Sequence, residues 1–194
     1  MMSTPIYRVV RLSPHHDLTA FDCGDPEYNN WLSVHAIASV QAGVCAVYLL
    51  EEADEHDLRV VGYYAINPTQ VIRDHVPPSL ARGWTVAVPV WKLGKLALHN
   101  DLRANKSAQW GRHLLRDALE TIISVPDAGG GKLIVVDAGD PALLSLYTAN
   151  GFRTTGSDGD LSLYLKVSTA RKVLRHRPIP VPRRRQRRHS TTSE

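Results

Sequence analysis

Hydrophobic positions recur along this chain with two periods, and the switch between them marks out the elements. IYRVVRL over 6–12 predicts a first strand, stopped before Pro14. VCAVYLL (44–50) and LRVVGYYAI (58–66) are rich in β-branched and aromatic residues. The polar stretch EEADEHD between them predicts a hairpin, with Glu51 and Glu52 as solvated turn residues. VPVWKLGKLALH predicts a long central strand, in which Pro89 near the start tolerates its missing N–H and Gly94 predicts a bulge. Leu133 to Val136 predicts a buried strand ending at Asp137, and LSLYLKV a last strand with Leu161, Leu163, Leu165 and Val167 on one face.

Helical spacing appears in three places. Asp25 followed by Pro26 is a cap-then-proline start, placing Tyr28, Trp31, Leu32, His35 and Ser39 on one face. Leu114, Leu115, Ala118, Leu119, Ile122 and Ile123 form the apolar stripe of a longer helix. Asp140 and Pro141 repeat the start signal for a short helix, ALLSLYTAN, closed by Asn150-Gly151. VIRDHVPPSLARG, with adjacent prolines, predicts an irregular connection, and AGGGK after Pro126 a flexible link.

Size is consistent with one domain: 194 residues, 43% of them hydrophobic, can bury a sizeable core. No apolar run approaches the roughly eighteen residues of a membrane span, and MMSTPIYRVVRL has no signal-peptide core, so a cytoplasmic protein without membrane association is expected. Cys23 and Cys45 lack metal-ligand spacing, which predicts buried free thiols and no metal.

The net charge of +4 changes meaning once it is located. Residues 171 to 194 hold nine Lys or Arg against one acid, a net of +8, which leaves residues 1 to 170 at −4. With Pro178, Pro180 and Pro182 and the run RRRQRRHSTTSE, residues 169–194 are expected to be a disordered basic tail, suited to polyanions or to solubility alone. The folded domain is expected to span 1–168, and an acidic domain argues against broad coating of its surface by nucleic acid. Arg73 and Arg82 in the irregular connection could touch phosphates, or serve only solubility.

Candidate chemistry sits between the central strand and the long helix. After Leu96, Ala97 and Leu98 comes a loop carrying Arg103, Lys106, Gln109, Trp110, Gly111 and Arg112, ending at a helix N-terminus. Unpaired amides and the helix dipole make such a junction an anion site. The stretch Lys106-Ser107-Ala108-Gln109-Trp110-Gly111 resembles the acetyl-CoA loop of GNAT-type N-acetyltransferases, with Gln109 in place of the middle glycine and Arg103 placed early, as in a lengthened loop. Leu146-Tyr147-Thr148-Ala149-Asn150-Gly151-Phe152 resembles that superfamily's tyrosine signature. Phe21-Asp22-Cys23-Gly24 with Asn30-Trp31-Leu32, and Val60-Val61-Gly62-Tyr63-Tyr64, resemble the TacT-like and AtaT-like toxins of type II toxin-antitoxin pairs.

The resemblance implies a GNAT fold: an α/β (α+β) domain with a mixed, mostly antiparallel central sheet flanked by helices on both faces. It implies acetyl-CoA as cosubstrate, bound by main-chain groups of Leu96, Ala97 and Leu98 and by the Arg103 to Arg112 loop. It implies Tyr147 as the catalytic group at the CoA sulfur. A thiol has a pKa of about 8.5 and a phenol about 10, so Tyr147 is protonated at neutral pH and can hydrogen-bond or protonate the leaving sulfur. An α-amine acceptor, with a pKa near 7.7 to 8.0, is partly neutral already and needs only a weak base. His99 is a candidate for that base. In the toxin group the acceptor is aminoacyl-tRNA, whose acetylation stops translation; Lys92 and Lys95 could then meet tRNA phosphates. A ribbon-helix-helix antitoxin and a homodimer complete the implied partners. Two alternatives stay open: an N-acetyltransferase for a small amine or protein N-terminus, and a non-catalytic module that kept the fold, suggested by Gln109.

Overall fold

The computed structural model describes residues 5–54, 57–124, 131–155 and 161–176. Seven strands form one sheet in the order β1-β2-β3-β4-β5-β7-β6. They are β1 (Ile6–Arg11), β2 (Ala46–Ala53), β3 (Leu58–Ile72), β4 (Ala87–Leu98), β5 (Leu133–Asp137), β6 (Arg153–Thr154) and β7 (Ser162–Lys166). Every pair is antiparallel except β4 with β5. The expected mixed, mostly antiparallel sheet is therefore present, and helices flank both of its faces.

On one face lie α3 (Asn100–Ala104), α4 (Trp110–Ser124), α5 (Leu144–Ala149) and α6 (Val167–His176). The stripe of α4 is buried as its spacing predicts, with Leu114, Leu115, Ala118, Leu119 and Ile122 packed on Tyr64, Leu93, Ile134 and Leu163 in one continuous core. The helix α6 departs from the sequence reading. Val167 starts this helix instead of ending a strand, and Ala170 and Leu174 join the same core. Ordered structure thus continues past residue 168, because Val167, Ala170 and Leu174 recur at helical spacing and find an apolar face to cover. The basic stretch from 177 on, like the AGGGK link up to residue 130, lies outside the described residues.

The opposite face is covered in two patches. α1 (Pro26–Asn30), a π-helical turn (Trp31–His35) and α2 (Ala36–Gln41) pack Leu32 and Ala36 over Val47, Leu49, Tyr63 and Ala97. Asp25 caps this segment by accepting from the amides of Glu27 and Tyr28. The π turn inserts a residue and rotates the rest of the segment, so Ala36 is buried where the regular spacing predicts His35, which is exposed. The second patch is the 73–86 connection, whose Val76 and Ala81 cover Val88, Val90, Leu133 and Tyr164.

Glu51 and Glu52 are not turn residues. β2 runs through them to Ala53, and both are buried, at 2% and 6% exposure. Arg8 binds Glu51 at 2.7 Å with His16 at 3.3 Å, while Glu52 accepts from Tyr7 and binds Arg59, which reaches on to Asp101 at 2.9 Å. A buried carboxylate persists only when paired in this way. Cys23 is buried and Cys45 half-buried, both as free thiols. No helix among the described residues is long and apolar enough to cross a membrane.

Candidate active site

β4 and β5 pair in parallel from Val90 with Leu133 to Leu93 with Val136. Beyond that point β4 continues to Leu98 and β5 ends at Asp137, so the two strands part. The cause is local. Ala65 faces Lys95 while Ile66 faces Leu93, which leaves Gly94 as the extra residue of the predicted bulge, and a bulge bends and twists its strand. Leu96, Ala97 and Leu98 keep Tyr64, Tyr63 and Gly62 as neighbours on β3. On their other edge no strand lies beside them among the described residues, so main-chain donors and acceptors there are open to a ligand. The parted strands frame a window through the sheet.

The start of α4 borders this window. The stretched loop is α3 followed by a 3-10 turn, Lys106–Ala108, that ends on Gln109 at φ 51° and ψ 36°. Gln109 is the one non-glycine residue with positive φ among the described residues, so it adopts the left-handed geometry that a glycine would take freely. The strain costs about 1 kcal/mol. It turns the chain so that the amides of Arg112 and His113 bond the Gln109 carbonyl, at 2.9 and 3.2 Å. The amides of Trp110 and Gly111 meet no backbone acceptor among the described residues. They are the first amides of α4, the part of a helix at which an anion site forms.

The side chains of this loop divide. Lys106 and Gln109 are exposed; Arg112 is half-buried, with Nη1 3.4 Å from the Gln109 Oε1 and its buried Nε without a partner among the described residues. The Trp110 ring is core, packed on Tyr7 at 4.3 Å between centroids, so only its main chain faces a ligand. Arg103 donates to the Cys23 carbonyl and ties the 21–24 loop to α3. His113 beside them is held below the ordinary imidazole pKa by burial and by the neighbouring Arg112 and Arg116. His99 caps α3, its Nδ1 accepting from the Asp101 amide at 3.2 Å while its ring edge meets Phe21. That nitrogen is committed to the cap.

Tyr147 lies on α5, carried by the Asp140 cap and the turn Pro141–Leu143. A Cβ added at Gly111 would stand 3.7 Å from Leu146, the neighbour of Tyr147, and 3.9 Å from Leu98. The first turn of α4, the end of β4 and α5 therefore converge. The Tyr147 ring is buried and meets Phe152 edge-on at 5.5 Å. Burial pushes its phenol well above the ordinary range, with a smaller contribution from the nearby Tyr28 hydroxyl and none from a hydrogen bond.

Lys92, Lys95 and Asp137 emerge on the opposite face of the same window. Lys95, 16% exposed, stands over the Tyr28 ring at 4.2 Å, faces Trp31 at 5.5 Å, and pairs with Glu27 at 3.3 Å. Lys92 pairs with Asp137 at 2.8 Å. Each lysine thus already has a carboxylate, unlike a cation kept for phosphate. Tyr28 spans the gap: its ring lies under Lys95, and its hydroxyl would be 3.8 Å from a Cβ at Gly139, just past β5. Sequence reasoning placed Tyr28 on a helix face and Asp137 at a strand end and gave neither a functional role. Their signals were an aromatic two residues past a cap-proline start and a carboxylate closing a buried strand.

Over 166 residues, 84% of this chain and 94% of the relative, the sequence is 31% identical to a tRNA-acetylating toxin of Mycobacterium tuberculosis. The chain belongs to the GNAT-superfamily toxins of the TacT/AtaT type. No protein-family model matches it. Solved structures share its fold. AtaT complexed with acetyl-methionyl-tRNAfMet superposes with a TM-score of 0.75 at 20% identity, covering 87% of this chain and 99% of that one. An AtaT Tyr-to-Phe mutant bound to acetyl-CoA and the C-terminus of the antitoxin AtaR gives 0.69 at 20% identity, covering 86% and 97%. As a member of this group the chain is related to acetyl-CoA-dependent acetyltransferases.

Proposed function

We propose that this protein is an acetyl-CoA-dependent N-acetyltransferase acting on the α-amine of aminoacyl-tRNA, and that it blocks translation as a cytoplasmic toxin. The observation that carries the reading is the parting of β4 and β5 beyond Leu93 and Val136 beside a helix end with open amides. In this reading the pantetheine bonds the free edge of Leu96, Ala97 and Leu98. The pyrophosphate meets the amides of Trp110 and Gly111, with Lys106, Gln109 and Arg112 around it; Arg103, tied to Cys23, braces the loop.

The amine attacks the thioester carbon and the C–S bond breaks with its electron pair on sulfur. A buried Tyr147, with its pKa raised, stays protonated at every physiological pH. Full transfer of its proton to a thiolate, whose conjugate acid has a pKa of about 8.5, is uphill. Tyr147 therefore acts as a hydrogen-bond donor to the developing thiolate, and solvent completes the protonation. A ribbon-helix-helix antitoxin and a second copy of the chain are the partners that the resemblance to the toxin group supports, since AtaT is found with an antitoxin.

The experiment is cell-free translation with the full chain and acetyl-CoA. Synthesis stops with the parent protein and continues with Tyr147→Phe, while charged tRNA gains an acetyl group by mass spectrometry. Unimpaired synthesis, or equal arrest by the phenylalanine variant, overturns the reading.

A further inference from the structure

A second feature of the window belongs to the side away from α4. Beside the 73–86 connection the sheet carries a cleft of about 660 Å³ lined by Thr69, Gln70, Lys92, Asp137, Ser162 and Tyr164 among others. It runs along β3, β4, β5 and β7 up to the point where β4 and β5 part. Asp137 stands at that point. It is the first residue of β5 beyond the last pair with β4, and its side chain is 58% exposed.

The carboxylate of Asp137 is oriented from two sides. Ser162 Oγ donates to Oδ1 at 2.8 Å, and Lys92 Nζ lies 2.8 Å from Oδ2. Those contacts fix the group without covering it, since each carboxylate oxygen accepts more than one hydrogen bond. Tyr28 lies alongside, its ring under Lys95 and its hydroxyl 3.8 Å from where a Cβ at Gly139, two residues past Asp137, would stand. Asp137 lines the cleft on the face away from α4, just past the last β4–β5 pair, and Tyr147 on α5 packs on the other face, so the two groups approach the parting of these strands from opposite faces of the sheet.

Resting on the acetyltransferase reading above, we infer that the cleft receives the acceptor and that Asp137 binds its primary amine at the window, accepting the proton which that nitrogen loses. An amine arriving from this face as the ammonium finds its complement in the fixed carboxylate and gives one proton to solvent before it attacks, which costs little because an α-amine, with a pKa near 7.7 to 8.0, is partly neutral already. On attack the nitrogen lone pair forms the N–C bond and the nitrogen becomes cationic. The C–S pair leaves on sulfur, which takes the Tyr147 hydrogen bond. The surplus proton passes from nitrogen to the Asp137 carboxylate and then to solvent. A negative charge set where positive charge develops lowers the barrier of that step, and it fills the place that a committed His99 leaves open. The acceptor class is a primary amine next to an extended polar body that the cleft can hold, as in an aminoacyl ester of a nucleotide.

The test uses the full chain with acetyl-CoA and charged tRNA. Asp137→Asn keeps the shape and still accepts from Ser162, whereas Asp137→Glu keeps the charge and disturbs that bond. The expected result is a loss of about 10²-fold in kcat/KM for Asn, with partial recovery in Glu and acetyl-CoA affinity unchanged in both. A purely structural Asp137 gives the reverse order, Asn mild and Glu damaging, and overturns the inference. Binding supplies a readout apart from turnover. The parent protein should hold aminoacyl-tRNA about tenfold more tightly than the α-hydroxyacyl form, and Asp137→Asn should bind the two alike. Equal binding of both forms by the parent overturns it as well. If no charged tRNA is acetylated, the tRNA reading falls by itself. The same variants assayed on a small primary amine then decide the role of Asp137, with the Asn-versus-Glu order read in the same way.

Discussion

The two faces of the sheet solve different problems. The face under α4, α5 and α6 is sealed: one core runs from Leu50 to Leu174, and in the proposed function this face supplies main chain at residues 96–98 and 110–111 plus a neutral phenol. The other face is covered in two separate patches, with a cleft beside the 73–86 connection, and the charges on it are paired, Lys95 with Glu27 and Lys92 with Asp137. A large carrier common to many enzymes can be gripped by backbone that any sequence provides. A specific acceptor needs side chains, and side chains with charge need room for water and partners.

The largest break in that comparison is Tyr147→Phe. With Tyr147 as the proposed hydrogen-bond donor to the sulfur, removing its hydroxyl should lower kcat by about 10²-fold, with acetyl-CoA affinity by calorimetry unchanged. If affinity falls equally, Tyr147 is packing and not chemistry. Next comes Leu174→Ala, which tests whether α6 truly closes that face. A leucine at 9% exposure in the main core should cost about 2 to 3 kcal/mol in urea unfolding, and a change under half of that would make α6 an appendage.

Much of this division could be read from the sequence, and the unread parts share a cause. The α4 stripe, the Asp25 and Asp140 caps and the Gly94 bulge are local signals, and they came out as predicted because backbone chemistry acts over a few residues. Glu51 and Glu52 read as a turn because their partners Arg8 and Arg59 come from neighbouring strands, which a window along the chain does not contain. His35 was misplaced by one residue of π turn. The helix α6 was hidden by its basic composition, although Val167, Ala170 and Leu174 carried the period. The residues proposed to hold the donor lie close together in sequence, where a local reading can reach them. On the face proposed for the acceptor, Tyr28, Lys95 and the strand end at Asp137 come from three distant segments, and only the fold brings them near one another.

On the open face, Lys95→Met separates two roles for that cation. As a cage for Tyr28 and Trp31 it contributes about 1 kcal/mol, which denaturation should show as a loss. As a phosphate contact, its loss would instead reduce the salt slope of tRNA binding by about one unit. The pairing with Glu27 predicts the first and an unchanged slope. A smaller effect, on the sealed face, is Gln109→Gly. It removes the Cβ from a left-handed residue, trading strain against chain entropy, and should stabilise by about 0.5 kcal/mol without weakening acetyl-CoA binding.

The finest test of the contrast concerns a charge placed where the sealed face does not want one. Asp117, on α4, accepts from the Tyr64 hydroxyl at 2.6 Å, and burial raises its pKa above the ordinary 3.8 despite that bond. A raised carboxylate pKa means that the folded chain holds this proton more tightly than the unfolded one. Its contribution to stability is therefore fully present below pH 3.8, the unfolded value, and is lost as pH rises through the folded pKa. Asn at 117 cannot ionise and still accepts from Tyr64. Asp117→Asn should then be the more stable protein at neutral pH, with its advantage shrinking as the pH is lowered toward the ordinary carboxylate range. A pH series of urea midpoints measures the gap. An advantage that stays constant with pH would show that Asp117 is solvated like Asp137, and that the two faces do not differ in how they treat charge.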